Sequence, residues 1–177
     1  HIEVQIIGDS FGNIIHVGER ECSIQRRSQK IIEECPSPAI SRAEREKICD
    51  LTIEAFKKVG YKSLGTVEYL YSNGEFYFIE MNTRLQVEHT ITEEVYNLDI
   101  VKEQIFIASG EKISINQNDV KKMCHSIECR INAENPITLL PSTGMVTTYH
   151  PPGGPGIRVD SLPVSYTHLT LPTTQVV

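Results

Sequence analysis

The stretch Glu80-Met81-Asn82-Thr83-Arg84-Leu85-Gln86-Val87-Glu88-His89 decides how the rest of the chain is read. Its even positions hold Glu80, Asn82, Arg84, Gln86 and Glu88, and its odd positions hold Met81, Thr83, Leu85 and Val87. In an extended backbone successive side chains point to opposite faces, so one face is polar or charged throughout and the other mostly apolar. A solvated strand face has this pattern. So does a site that gathers carboxylates, an amide and a guanidinium, and spacing alone leaves both readings open.

Just upstream, 63–71 and 75–82 read as two strands around Ser72-Asn73-Gly74. Asn-Gly between such runs is a strong hairpin signal. Glu68 lies on the first of these strands, in a polar parity. A hard cation such as Mg²⁺ takes oxygen ligands, often two carboxylates together with phosphate oxygens. Glu68 and Glu80 fit that need, with Asn82 adding a carbonyl oxygen, provided both glutamates face one side. A two-residue turn would pair Val67 with Glu80 and set Glu68 on the other face. A three-residue loop with a bulged glycine restores a shared face, so the expectation is an odd-length turn with Gly74 at positive φ. Spacing alone reads Glu68 as a surface residue at least as readily.

Working outward, 1–7 alternates with Ile2, Val4 and Ile6 on one parity, as a half-buried strand requires. Residues 8–13 form a turn cluster and 14–20 return as a second strand, making a hairpin. The run Gln25-Arg26-Arg27-Ser28-Gln29-Lys30 follows it and is locally basic. It is a solvated face or an anion site, since Lys and Arg grip phosphate or carbonate oxygens. Helix is expected over 41–59, where Ser41 and Glu44 form a capping box. Ile48, Leu51, Ala55, Phe56 and Val59 share its apolar face, and Gly60 caps its end. A second helix is expected from Asp99 to Ala108 and a strand over 125–133. Residues 151–156 read as a loop. Strands, then helices, then strands argue for an α+β layout.

Bulk properties narrow the class. The length of 177 residues suits one compact domain. A formal net charge of -6 disfavours nucleic acid as a partner. No run of ~18 apolar residues is present for a membrane-spanning helix. The five cysteines form no CxxC pair, which points to free thiols in a reducing cytosol rather than a zinc site.

Several motifs, in order and at near-constant spacing, resemble one family. They are H-I-E-V-Q at 1–5, R-E-C-S-I-Q-R-R at 20–27, G-T-V-E at 65–68, F-I-E-M-N-T-R-L-Q-V-E-H at 78–89, E-C-R-I-N-A-E at 128–134 and P-G-G at 152–154. This pattern resembles the biotin carboxylases. The resemblance implies an α+β fold: the C-terminal part of an ATP-grasp domain over 1–123, an antiparallel sheet with flanking helices. The start of the biotin carboxylase C-terminal domain is expected over 124–161. Residues 162–177 fall outside the family pattern and are expected to be a non-native or disordered tail.

The resemblance also implies chemistry. ATP phosphorylates bicarbonate to carboxyphosphate, which decays to CO₂, and N1′ of carrier-bound biotin captures it. His1, Gln25 and Leu70 fall on nucleotide positions, and Glu68, Glu80 and Asn82 on the Mg²⁺ (or Mn²⁺) site. Lys30, Arg84, Gln86 and the backbone of Val87 fall on the bicarbonate site. Glu88 falls on the general base and Arg130 on the group that stabilises the biotin enolate. A forked guanidinium suits a small planar anion. A general base works best with its pKa near working pH, which burial would favour for Glu88 and Arg84 would oppose. Ser28 stands where many members have His near the ribose, and Thr90 where Pro is frequent. A cytoplasmic homodimer served by a biotin carboxyl carrier protein is the implied setting. The chain is expected to be incomplete at both ends and to be inactive alone. A carbamoyl-phosphate-synthetase-like ligase, or a fragment that only binds or packs, stand as alternatives.

Overall fold

The computed structural model describes residues 1–169. It divides into two compact units, the first spanning His1–Cys129 and the second beginning at Arg130, where length alone suggested one domain. The first unit is built on a six-stranded antiparallel sheet in the order β5-β4-β1-β2-β3-β6. The strands are β1 (Ile2–Gly8), β2 (Ile14–Arg26), β3 (Gln29–Cys35), β4 (Ser63–Ser72), β5 (Glu75–Asn82) and β6 (Ser126–Cys129). An antiparallel sheet with separate helices matches the α+β reading. Among the described residues no helix is long and apolar enough to cross a membrane.

Strand β1, central between β4 and β2, is buried on both faces, not half-buried. One face carries Val4 and Ile6, which pack with Val67, Tyr69, Ile48 and Cys49. The other carries Glu3 and Gln5, buried in a polar network. Helix α1 (Arg42–Val59) covers the apolar face. Its start has the expected capping box between Ser41 and Glu44, and Gly60 caps its end in the left-handed region. Its buried stripe differs from the hydropathy reading. Ile48, Cys49 and Thr52 are buried, whereas Leu51 and Val59 are 56% and 73% exposed. Thr52 tolerates burial because its hydroxyl bonds the Ile48 carbonyl at 2.7 Å and pairs with the Tyr69 hydroxyl at 2.8 Å.

Helices α2 (His89–Tyr96) and α3 (Ile100–Ala108) follow β5. Asp99 caps α3 by accepting from the Lys102 backbone, and the helix starts where the sequence suggested. Ile100 and Ile107 of α3 bury Ile7, Leu64, Ile15 and Val17 of the sheet.

Three local expectations change. The β4–β5 turn is a two-residue one, Asn73 and Gly74 both at positive φ, with Ser72 opposite Glu75. The irregularity that resets the register lies farther along, where Tyr69 pairs with Phe78 but Glu68 pairs with Glu80. The extra residue is therefore Ile79, a β-bulge in β5, rather than a glycine in the loop. Second, the extended alternation stops at Asn82. Arg84 and Gln86 stand on a loop, and Glu88 is the N-cap residue of α2. Third, the basic run at 25–30 is a hairpin, with Arg27 and Ser28 at positive φ and Gln25 opposite Lys30.

In the second unit β7 (Gly144–Met145) pairs with β8 (His168–Leu169). The strand expected over 125–133 is confined to β6. Of the tail at 162–177, residues 170–177 lie outside the described residues.

Candidate active site

Four strands place four charged residues in one row. Glu80 of β5 faces Glu68 of β4, Glu68 faces Glu3 of β1, and Glu3 faces Arg20 of β2. Directly opposed residues on neighbouring strands share a face, so this row is set by register alone. One step along, Asn82, Thr66 and Gln5 make a parallel polar row.

Lys30 reaches into this row from β3. Its Nζ contacts Glu3, lies 3.2 Å from Glu68 Oε1 and 2.7 Å from Glu88 Oε1. One ammonium thus serves three carboxylates. Glu68 is the hub of the network. Its Oε1 accepts from Asn82 Nδ2 at 2.8 Å and Gln86 Nε2 at 2.9 Å, and its Oε2 lies 2.9 Å from His1 Nε2. The Asn82 amide also reaches Glu80 Oε1 at 3.4 Å, and its Oδ1 accepts from Arg84 Nη2 at 3.4 Å. Gln25 joins through His1 Nδ1 at 2.8 Å.

Burial grades across the site. Glu3, Arg20, Glu68, Gln86 and Glu88 are buried at its floor. His1, Lys30 and Asn82 are half-buried, while Glu80, Arg84, Gln25, Leu70 and Val87 stand exposed at the rim. Nine of the expected residues therefore meet in one network: His1, Gln25, Lys30, Glu68, Glu80, Asn82, Arg84, Gln86 and Glu88. Leu70 shares the Glu68 face of β4 but is exposed. Arg84 and Glu88 are linked through Asn82, Glu68 and Lys30. Arg130 is the half-buried first residue of the second unit.

The electrostatics follow from this crowding. Burial pushes the Glu88 carboxyl up, but Arg20 and Lys30 outweigh it and hold it at about 2. Burial likewise opposes ionisation of Glu68, while His1, Lys30 and Gln86 bring it to about 2. Glu3 goes the other way: burial and the charge of Glu88 raise it despite Arg20 and Lys30. Lys30 is held above the usual ammonium range; burial lowers it, and Glu3 and Glu88 more than reverse that.

A divalent cation fits the donor set. Glu68 and Glu80 are in-register oxygen donors, and the Asn82 Nδ2 group, a positive dipole end, sits between them. Rotating that amide would turn its oxygen inward instead, since the two orientations differ only in which end faces the carboxylates. Glu3, Glu68, Glu80 and Glu88 outnumber Lys30, Arg20 and Arg84, which leaves room for added positive charge. All-oxygen ligation of this kind suits Mg²⁺ or Mn²⁺.

Sequence reasoning missed Arg20, Glu3, Gln5, Thr66 and Thr92, all buried in the network. A signal for two of them was present. His1, Glu3 and Gln5 alternate with Ile2, Val4 and Ile6, so the polar parity of β1 faces the site as regularly as the apolar parity faces α1. Arg20 gives no such sign, because a lone arginine in a strand reads as solvated.

The fold is the C-terminal part of an ATP-grasp domain, with its acidic and basic side chains on one face of an antiparallel sheet. Residues 1–116 match the family model described as carbamoyl-phosphate synthase L chain, ATP binding domain, and residues 128–169 match that of the biotin carboxylase C-terminal domain. The chain belongs to that ATP-binding family. It is 54% identical over 161 residues to a biotin carboxylase of Allochromatium vinosum, a match that covers 91% of this chain and 36% of that protein. It is 55% identical over 161 residues to a biotin carboxylase of Pseudomonas aeruginosa, again covering 91% of this chain and 36% of that protein. Among solved structures it is similar to the biotin carboxylase domain dimer of Hydrogenobacter thermophilus 2-oxoglutarate carboxylase in complex with MgADP, ADP and bicarbonate. That likeness has a TM-score of 0.92 and 48% identity, covering 96% of this chain and 38% of that one. The chain thus spans about a third of the length of the curated relatives it matches.

Proposed function

We propose that this chain carries the metal, bicarbonate and base residues of an ATP-dependent biotin carboxylase. The observation that supports it most directly is the placement of the Lys30 ammonium among Glu3, Glu68 and Glu88, beside the in-register pair Glu68 and Glu80. In this reading ATP and bicarbonate give ADP and carboxyphosphate. Carboxyphosphate breaks down to CO₂ and phosphate, the phosphate takes the N1′ proton of biotin, and N1′ takes up the CO₂.

Lys30, the Arg84 fork and the Gln86 amide donate to the oxygens of bicarbonate, with the Val87 backbone beside them. Glu88 is ionised and takes the bicarbonate proton. With its carboxyl held at about 2 it is a weak base in the ligand-free site. An anion on Lys30 competes for the ammonium that now sits 2.7 Å from Glu88, and this raises the carboxylate's basicity as substrate binds. Glu68, Glu80 and Asn82 hold Mg²⁺, which when bound offsets the charge of phosphate oxygens. His1, Gln25 and Leu70 line the nucleotide side. Arg130 meets the negative charge that develops on the biotin ureido oxygen.

The setting that goes with this reading is a cytoplasmic homodimer that takes biotin on a carboxyl carrier protein. Residues to 123 then belong to the ATP-grasp part, and those to 161 begin the C-terminal domain. The final carboxyl acceptor is chosen elsewhere, with acetyl-CoA the first candidate and pyruvate or propionyl-CoA behind it. The test is bicarbonate-dependent ATP hydrolysis by the full-length gene product, with and without free biotin. Stimulation by biotin that Arg130→Ala removes supports the reading. Equal hydrolysis without biotin would favour a carbamoyl-phosphate-synthetase-like ligase, and no hydrolysis would favour a non-catalytic role.

A further inference from the structure

The most unusual group in the network is one the reaction as described does not use. Arg20 is fully buried, yet it carries a fixed positive charge. All its nitrogens have partners. Nε and Nη2 bond Glu3 Oε2 at 3.3 and 3.2 Å, and Nη1 bonds Gln5 Oε1 and Thr92 Oγ1, each at 2.9 Å. Nη2 also reaches Thr66 Oγ1 at 3.2 Å and Gln86 Oε1 at 3.3 Å. One side chain on β2 therefore ties together β1, β4, α2 and the loop that carries Gln86.

The bond to Gln86 has a consequence for chemistry. A side-chain amide has an accepting end and a donating end, and a guanidinium can only donate. Arg20 therefore takes the oxygen of Gln86 and obliges its NH₂ to face the other way. That NH₂ is found 2.9 Å from Glu68 Oε1, on the metal and anion side of the site. Without the guanidinium the amide could turn over and present an oxygen to an anion, which repels it. Arg20 also stands directly opposite Glu3 in register, so the same guanidinium compensates the carboxylate that Lys30 contacts.

We propose that Arg20 is a positioning residue that fixes the donor orientation of Gln86 and thereby sets the affinity for the small oxyanion. This rests on the carboxylase reading above. It extends that reading to a residue outside the expected site. Lysine at this position keeps the charge but has no planar fork, so it cannot hold Glu3, Gln5, Thr92 and Gln86 at once.

The test uses the full-length gene product and the variants Arg20→Lys, Gln86→Ala and the double variant, each checked for folding by thermal melting. Losing an oriented donor to an anion is expected to raise the KM for bicarbonate in Arg20→Lys by about tenfold or more, with the KM for ATP changed by less than about twofold. If Arg20 acts through Gln86, the double variant is no worse in bicarbonate KM than Gln86→Ala alone. Additive effects of the two substitutions, or an unchanged bicarbonate KM in a folded Arg20→Lys, overturn the proposal and leave the carboxylase reading standing. No bicarbonate-dependent hydrolysis by the wild-type protein overturns both. Should Arg20→Lys fail to fold, Thr92→Val is read instead. It removes one Nη1 partner and leaves the bond to Gln86, so the account expects a small loss of melting temperature without a change in bicarbonate KM. A raised KM there counts against action through Gln86.

Discussion

Glu68 and Glu80 face each other across β4 and β5, and they do so because Ile79 is bulged out of the ladder between Phe78 and Glu80. With the two-residue Asn73-Gly74 turn and no bulge, Glu68 would have met Ile79, and Glu80 would have pointed to the opposite face.

Deleting Ile79 should therefore close the bulge and leave Glu68 opposite Glu80 in a regular ladder, because Glu80 then follows Phe78 directly. The expected outcome is that Mg²⁺-dependent ADP binding by the full-length protein, measured calorimetrically, is retained. Loss of that binding in a deletion variant that still unfolds cooperatively would show that a shared face is not what the two carboxylates need.

Lys30 compensates three carboxylates from inside the site. Removing one partner of a buried ionic group leaves the others unpaired and costs about 3 kcal/mol or more. Lys30→Met should lower stability in urea unfolding by that order. Glu3→Gln in the same chain should recover part of the loss, because it removes a carboxylate that burial already disfavours.

Glu88 gives stability a pH dependence of known sign. Its folded pKa of about 2 lies below the ordinary 4.5. Below pH 4.5 the unfolded chain takes up a proton that the folded site refuses, so this contribution is complete at higher pH and drains away as pH falls toward 2. Glu3, raised by burial, acts in the opposite sense where it titrates. Urea midpoints followed through the acid range should fall less steeply in Glu88→Gln than in the wild type. A steeper fall would mean that Glu88 is not held ionised by Arg20 and Lys30.

Much of this was legible in the sequence, and the exceptions have physical causes. The capping box at Ser41 and Glu44, the start of α3 near Asp99 and the position, though not the length, of the Asn73-Gly74 turn are local chemistry, so short windows reveal them. Helix α2 was hidden because its N-cap, Glu88, makes no side-chain capping bond. An alternating 80–88 run looks extended until Gln86 turns back to Arg20 and Glu68, a tertiary effect no local pattern encodes. The exposed Leu51 and buried Thr52 in α1 show the same limit, since the Tyr69 hydroxyl that satisfies Thr52 comes from another strand. The site residues were legible as a family pattern and Glu3 as part of the polar parity of β1, while the buried Arg20 that holds them was not.

The cysteines offer a check on the first unit. Cys22, Cys35 and Cys49 are buried, whereas Cys124 and Cys129 are exposed. Burial raises the first three thiols, and a thiol reacts as its thiolate. Under native conditions a maleimide should label Cys124 and Cys129 quickly and the other three only on unfolding. Mass spectrometry of digested protein reads this directly, and rapid labelling of Cys35 or Cys49 would contradict the packing of β3 or α1.

The central claim is that one face of this sheet joins a metal–nucleotide site to a bicarbonate site with Glu88 as the base. The most direct measurement is transfer of label from radioactive bicarbonate to free biotin by the full-length protein. The account predicts ATP-dependent labelling that Glu80→Gln and Glu88→Gln each abolish in folded protein. Labelling that survives both substitutions, or none by the wild-type protein, would contradict it.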